Sequence, residues 1–438
     1  MAHELTQAQL AAFRDEFDND QHVKPIQHAT MRNGVLEASY NPEIAAKLNH
    51  TFSVEVPTGK VSNQKQSGRC WLFSLLNTLR HQFAVDYQVK DFELSQAYLY
   101  FWDKIERANI YYDNILRTAD RPTDDREVAF YLSMPGDDGG QWAMAASLVA
   151  KYGVVPKEAM PETFNTDATA GFAEALNLKL RRDALVLREL KNNEATAGEI
   201  TAQRQKMLQE VYRMTAIAVG EPPVQFDLEY RDDNQKYHLD QDLTPVAFFE
   251  KYFKMKLNDY VVLTNAPDKA YNQAYRLASE ENVVGGLPIV FTNMPMASLR
   301  RAAIAQLKAG ETVWFGNDVG KQMNRKEGLL DPQLYQKDAL FGVDLSLNKA
   351  DRFRLGEAEV THAMTLTGVD LINDTPSKWK VENSWGVKNG LDGYFVMSDD
   401  WFEDYTYEVV VQRQYLTDEE IAAADSEPVL LPAWDSLM

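Results

Sequence analysis

The sequence predicts an α+β fold, and three observations carry that prediction. Helical periodicity fills the first half of the chain, alternating apolar runs fill the second, and no regular strand–helix–strand repeat joins them. Glu4 to Phe17 sets Leu5, Leu10, Phe13 and Phe17 at helical spacing. Residues 71–83 predict the next helix, with Trp71, Leu75, Leu79 and Phe83 four apart on one face. Residues 93–117 predict a longer buried helix with Ser95 as its N-cap. Trp142 to Tyr152 reads as a short apolar helix stopped by Gly153 and Pro156. From about Glu194 to Val219, the residues Ile200, Met207, Leu208, Val211 and Ala218 mark another face, closed by Pro222-Pro223. Strands follow at 260–265 and 287–292, then a helix over 296–309 ended by Gly310 and a strand from Thr312 to Phe315. The last sheet elements, 360–372 and 378–384, flank Asn373-Asp374-Thr375-Pro376, which is turn chemistry, so they predict a hairpin.

Composition bounds the function. Of 438 residues, 45% are hydrophobic and 11% aromatic, ample for a sizeable core. The formal charge of −20 argues against a nucleic-acid backbone or an anionic membrane as partner. No apolar run approaches the roughly 18–20 residues that span a bilayer, and the opening residues lack a cationic leader with an apolar block. With one cysteine, the expectation is a reducing cytoplasm, where the Asn49-His50-Thr51 sequon is a chance match.

That cysteine is Cys70, in "NQKQSGRCWLFSLLNTLRHQF". A free cysteine is often a small buried hydrophobe. Here it follows Ser67-Gly68 and starts an apolar helix, where unpaired N–H groups and the helix dipole favour thiolate over thiol. A nucleophilic thiolate needs a base, and the base needs an orienter. Six of the seven histidines, His3, His22, His28, His50, His81 and His238, sit mostly in polar surroundings that suit solvated imidazoles, and no pair has zinc-site spacing. His362 instead lies within the alternating strand "VTHAMTLTGV", open to two readings: a satisfied core histidine or the base. In the companion run "KWKVENSWG", alternation sets Asn383 on an apolar face with Trp379 and Val381, and Lys378, Lys380 and Glu382 opposite. A buried amide needs partners, and one that accepts from an imidazole N–H orients the ring without adding charge. Trp385 is positioned to shield that bond. Symmetric pairing about 373–376 sets His362 opposite 387 rather than 383, so the pair requires an irregular turn or a bulge.

These residues resemble the papain-like cysteine peptidases. Asn63-Gln64, Cys70-Trp71, Phe73-Ser74, His362 and Asn383-Ser384-Trp385-Gly386 follow that superfamily's order of Gln, Cys, His and Asn, and Gln64 precedes Cys70 by six residues, the spacing of its oxyanion-hole glutamine. "DDGGQWAMAASLVAKYGVVPK" resembles the block whose paired glycines, here Gly139 and Gly140, bond the substrate backbone. The 292 residues from Cys70 to His362 are about twice the usual roughly 130–150, and Ser67 and Asp137 stand where secreted members have disulfide cysteines. Both departures, with "QSGRCW", "LYFWDKIERAN", "NDVGK" and "VENSWG", resemble the bleomycin hydrolase and bacterial aminopeptidase C branch, and within it the lactic-acid-bacterial thiol aminopeptidases and their oligopeptidase paralogues.

The resemblance implies a papain-like core with large helical insertions, a homohexamer with its active sites facing an internal cavity, and peptide substrates. It implies one peptidase domain over 1–438: an N-terminal helical part to about 160 with the nucleophile, an inserted helical region of about 161–285, a β-rich part of about 286–415 with His362 and Asn383, and a C-terminal arm of about 416–438 reaching the cleft. The catalytic set is then Cys70, His362, Asn383 and Gln64, with no metal or organic cofactor required. In this branch the terminal carboxylate, here that of Met438, holds the substrate's amino group and makes the enzyme an aminopeptidase. The tail "LPAWDSLM" stops about three residues short of the common family ending, so an oligopeptidase on the same scaffold is the alternative. A catalytically inactive binding protein and an acyl transferase are the remaining readings.

Overall fold

A computed structural model of the chain describes residues 3–133 and 135–437. The helix of Cys70–Tyr87 has twelve buried residues, including Trp71, Leu75, Leu79 and Phe83, and so runs through the interior. Gln96–Arg117 packs in the same helical core, and the Ser95 hydroxyl accepts from the Tyr98 N–H at 3.1 Å, the expected cap. Trp142–Tyr152 and Ala197–Val219 complete the expected helices, the latter opened by a Thr196–Glu199 capping box. Ala170–Asn192, unanticipated, lies between them and buries Phe172, Leu176, Leu180, Ala184 and Leu187. The first helix, Gln7–Asn19, buries none of its residues, and Phe13 and Phe17 face outward.

Among the described residues one twelve-stranded mixed sheet runs beside the helical core. At its centre lie, in spatial order, Tyr260–Thr264, Thr406–Gln412, Val313–Asn317, His362–Ile372, Thr375–Glu382 and Tyr394–Ser398, each antiparallel to the next. One face packs on the Cys70 helix and its neighbours; the other is covered by Met296–Lys308 and Asp399–Tyr405.

The 362–382 hairpin resolves the register problem. Asn373 and Asp374 both have positive φ, 50° and 62°, so the turn is a two-residue one centred before Thr375. Ile372 pairs with Thr375 and, past two bulges that offset each other, Thr365 pairs with Glu382. Continued, this register sets His362 opposite position 385, and Asn383 becomes its diagonal neighbour on the adjacent strand.

Two of the sequence expectations need correction. The region of about 161–285 is not only helical: it contains the hairpin Phe226–Arg231/Tyr237–Leu243 and the sheet strands Tyr260–Thr264 and Gln273–Arg276. His81, taken for a solvated imidazole, is buried, its Nε2 2.5 Å from Glu382 Oε2, while the Arg80 guanidinium donates to Oε1 of the same carboxylate. Burial pushes the Glu382 carboxyl up, but Arg80 and His81 hold it down at about 2. This buried ion pair ties the helix that begins at Cys70 to the strand that ends beside Asn383.

Candidate active site

Cys70 is the first residue of its helix, with Arg69 as the N-cap residue. The helix is pinned to the His362 strand by the Ser74 hydroxyl, which donates to the Met364 carbonyl at 2.7 Å and lies 3.0 Å from the Thr365 hydroxyl. That attachment sets the Ala363 backbone N–H on the side of the Cys70 sulfur, where it favours the thiolate. His362 Nε2 lies 3.0 Å from Asn383 Oδ1, and the Trp385 ring covers it with centroids 4.9 Å apart. Asn383 is fully buried, and its amide nitrogen has no partner among the described residues.

Cys70, His362, Gln64, Gly139 and Gly140 line one cleft of about 860 Å³. The expected set thus converges, with Asn383 behind the imidazole; Met438 lies outside the described residues. Gln64 is aligned by pairing of its segment with 384–386: its backbone N–H donates to the Ser384 carbonyl at 2.8 Å, and Gly386 N–H donates to Ser62 at 3.0 Å. Its amide nitrogen donates to the Ser67 carbonyl at 2.7 Å, leaving a second N–H, while its amide oxygen is buried without a partner among the described residues.

Gly140 lies against the indole beside the nucleophile, where a Cβ would come within 2.7 Å of the Trp71 ring, so only glycine allows this approach. Trp71 Nε1 donates to the Asp138 carbonyl at 2.7 Å, and Gly68 N–H donates to the Asp138 carboxylate at 3.3 Å. Burial pushes Asp138 up, but Lys104, 3.1 Å away, and further hydrogen bonds hold its carboxyl at about 2. Hydrogen bonds to Asp138 therefore join the segments at Ser67 and Asp137, and the Lys104 ion pair ties the second of them to the helix of Gln96–Arg117. The Arg107 guanidinium donates to the Gly139 carbonyl, taking one of its two acceptor positions.

Sequence reasoning missed two cations in the cleft, Arg107 and Arg325. Arg325 stacks 4.4 Å from the Trp385 ring centroid and donates to Asn389 at 3.1 Å. It sits on a surface loop with no periodic signal to single it out. Burial, followed by the charge of Arg325, lowers His362 to about 4 despite the opposing bond to Asn383. Burial likewise pushes the half-buried Cys70 thiol up, outweighing the N–H groups of Ala363, Trp71 and Cys70 that favour thiolate. The helix terminus alone therefore does not make a thiolate. Burial therefore disfavours both the imidazolium of His362 and the thiolate of Cys70 when each is taken singly. Among the described residues no group of three His, Cys, Asp or Glu side chains converges as metal ligands, and no helix is long and apolar enough to cross a membrane.

Residues 4–438 match the peptidase C1-like family. Aminopeptidase G of Lactobacillus delbrueckii subsp. lactis is 57% identical over 440 residues, covering 100% of both chains. Aminopeptidase E of Lactobacillus helveticus is 57% identical over 438 residues, again covering 100% of both. The crystal structure of PepW from Lactobacillus rhamnosis HN001 has a TM-score of 0.98 at 47% identity, covering 100% of this chain and 99% of that one.

Proposed function

This chain belongs to the peptidase C1-like family, and from that premise we propose that it is a cysteine aminopeptidase, releasing N-terminal residues from peptides through a thioester on Cys70. The observation that carries the reading is the bond from Asn383 to His362, an imidazole that lines the same cleft as the Cys70 thiol. In the proposed reaction His362 takes the Cys70 proton as the sulfur attacks the acyl carbon. The second Gln64 N–H and the Cys70 backbone N–H stabilise the oxyanion, each such donor worth about 3–4 kcal/mol of barrier. The leaving amine then takes the proton from His362 as the C–N bond breaks. Water, deprotonated by His362, cleaves the thioester and returns the thiol. Asn383 keeps the imidazole in the tautomer and orientation both steps need.

The substrate backbone is proposed to lie along Gly139 and Gly140, and the Met438 carboxylate to face its amino group. The tail leading there is anchored: Asp435 pairs with Lys269 at 3.0 Å, Trp434 stacks on Arg126, and Leu437 is fully buried. We read the chain as one peptidase domain acting in the cytoplasm as a homohexamer. The outward-facing Phe13 and Phe17 of a helix with no buried residue support an assembly that covers them.

A pair of peptides differing only in an acetyl cap tests the reading. Hydrolysis of the free-amine peptide from its N-terminus, with little or none of the capped one, is expected. Equal or faster internal cleavage of the capped peptide would move the assignment to the oligopeptidase alternative, which the volume of the cleft accommodates.

A further inference from the structure

Arg325 lines the cleft and pairs with no acid. Its side chain is exposed, and its hydrogen-bond partner among the described residues is Asn389. No carboxylate lies in ion-pair contact with it there, in a chain whose formal charge is −20.

The guanidinium is nonetheless held in place. Met323–Asn324 and Leu329–Leu330 pair as a hairpin whose tip carries it. Gly328 N–H closes the tip by donating to the Asn324 carbonyl at 2.8 Å, and Gly390 N–H docks it by donating to the Lys326 carbonyl at 3.1 Å. Asn389 then links the tip to the site. Its amide nitrogen donates to the Trp385 carbonyl at 2.7 Å, and its amide oxygen accepts from Arg325 Nε at 3.1 Å. The guanidinium carbon rests 4.4 Å from the Trp385 ring centroid, and Nη1 and Nη2 have no partner among the described residues. Two such nitrogens form the planar fork that takes a carboxylate bidentately. The segment of Gln64 adds a second cation: Asn63 bridges to Trp385, and Lys65 lines the same cleft.

This end of the cleft is left to the departing amine. With the acyl residue along Gly139 and Gly140, the released residue lies over His362, which hands it the proton, and over Trp385. The indole centroid is 4.9 Å from that imidazole and 4.4 Å from the guanidinium carbon. An amine within about 3 Å of the imidazole carries its own carboxylate carbon about 2.5 Å farther on. The remaining gap is one that an ion pair of up to about 4 Å closes. We propose that Arg325, with Lys65 as a second cation, binds a carboxylate on the residue that follows the scissile bond. That group is the α-carboxylate of a dipeptide or an acidic side chain in a longer peptide, and the first case makes the protein a dipeptidase as well. The bond broken is the same C–N bond, and the inference rests on the aminopeptidase reading, which sets the acyl residue at the other end.

Steady-state kinetics of the full-length protein on two pairs of substrates tests this. One pair is a dipeptide and its C-terminal amide; the other is a tripeptide amide with glutamate or glutamine after the scissile bond. Wild-type kcat/KM should be higher for the carboxylate member of at least one pair, and that pair names the source of the carboxylate. In Arg325→Gln this ratio should fall about tenfold, mostly through KM, the low end for a charge-assisted hydrogen bond. The ratio is the readout because loss of a charge near His362 acts on both members of a pair alike. Arg325→Lys, which keeps the charge without the fork, should retain part of the preference, and Lys65→Gln should lose less of it than Arg325→Gln. Raising the salt should shrink the wild-type ratio. A wild-type ratio near one in both pairs overturns the assignment, and so does a preference that survives unchanged in Arg325→Gln; both results leave the aminopeptidase reading intact. Acetyl capping of the same peptides reads that assignment separately. Capped peptides cleaved as well as free ones defeat the aminopeptidase reading and this inference with it.

Discussion

Replacing Cys70 with alanine should lower peptide hydrolysis by about 10⁴- to 10⁶-fold in kcat, because the thioester route is then closed and only binding and oxyanion stabilisation remain. Cys70 is the only cysteine in the chain, so no second thiol can take over. Folding should be spared: the residue begins the helix rather than filling its core, and twelve other helix residues carry the burial. The variant should keep the wild-type thermal midpoint within a few degrees and still bind peptide. Steady-state hydrolysis beside a melting curve reads both outcomes. Serine should behave like alanine, since an alcohol held by a site built around a thiol–imidazole proton exchange gives up its proton far less readily.

The largest effect on stability is expected at Glu382. Alanine there removes the carboxylate that Arg80 and His81 share in a fully buried setting and leaves the Arg80 guanidinium unpaired, a change that typically costs about 3–5 kcal/mol. Urea unfolding at pH 7 measures it. The pH dependence has a definite sign. Glu382 is held at about 2 against an ordinary 4.5, so the native state favours its ionised form. Its contribution is fully present above the ordinary value and is lost as pH falls from there toward 2. Wild type should therefore lose stability across that window, and Glu382→Gln should lack this part of the loss. Catalysis should suffer as well, because the same ion pair holds the helix of Cys70 against the strand that leads to Asn383.

Much of the site is legible in the sequence because its parts are local. Cys70 opens an apolar helix, Gln64 sits six residues before it, and His362 and Asn383 fall within or just after two alternating runs joined by turn residues. The pairing of His362 with Asn383 is harder. It depends on where the turn is centred, and the left-handed conformations of Asn373 and Asp374 move the register by two residues from the symmetric one. Burial of His81 and Glu382 is invisible locally, since each looks like a polar residue on an alternating or helical surface. Their partners lie 301 residues apart in the chain. At Cys70 the N–H groups of the helix start favour thiolate, in the direction its position predicts, while burial, which no local pattern reveals, opposes them and is the larger effect.

The central claim is that Cys70 and His362 titrate as one pair, oriented by Asn383. Measuring the rate of alkylation of Cys70 by iodoacetamide against pH, with peptidase activity assayed on the same samples, tests it most directly. His362 lies low, at about 4, and the thiol lies above its ordinary value. The pair should therefore keep its single shared proton from near pH 4 to beyond the usual thiol range. Alkylation and kcat/KM should rise together near pH 4, well below the ordinary pKa of a thiol or an imidazole, and kcat/KM should fall only in alkali. One adduct per chain should abolish activity. A thiol that becomes reactive only near pH 9, or activity that survives complete modification of Cys70, would contradict the account.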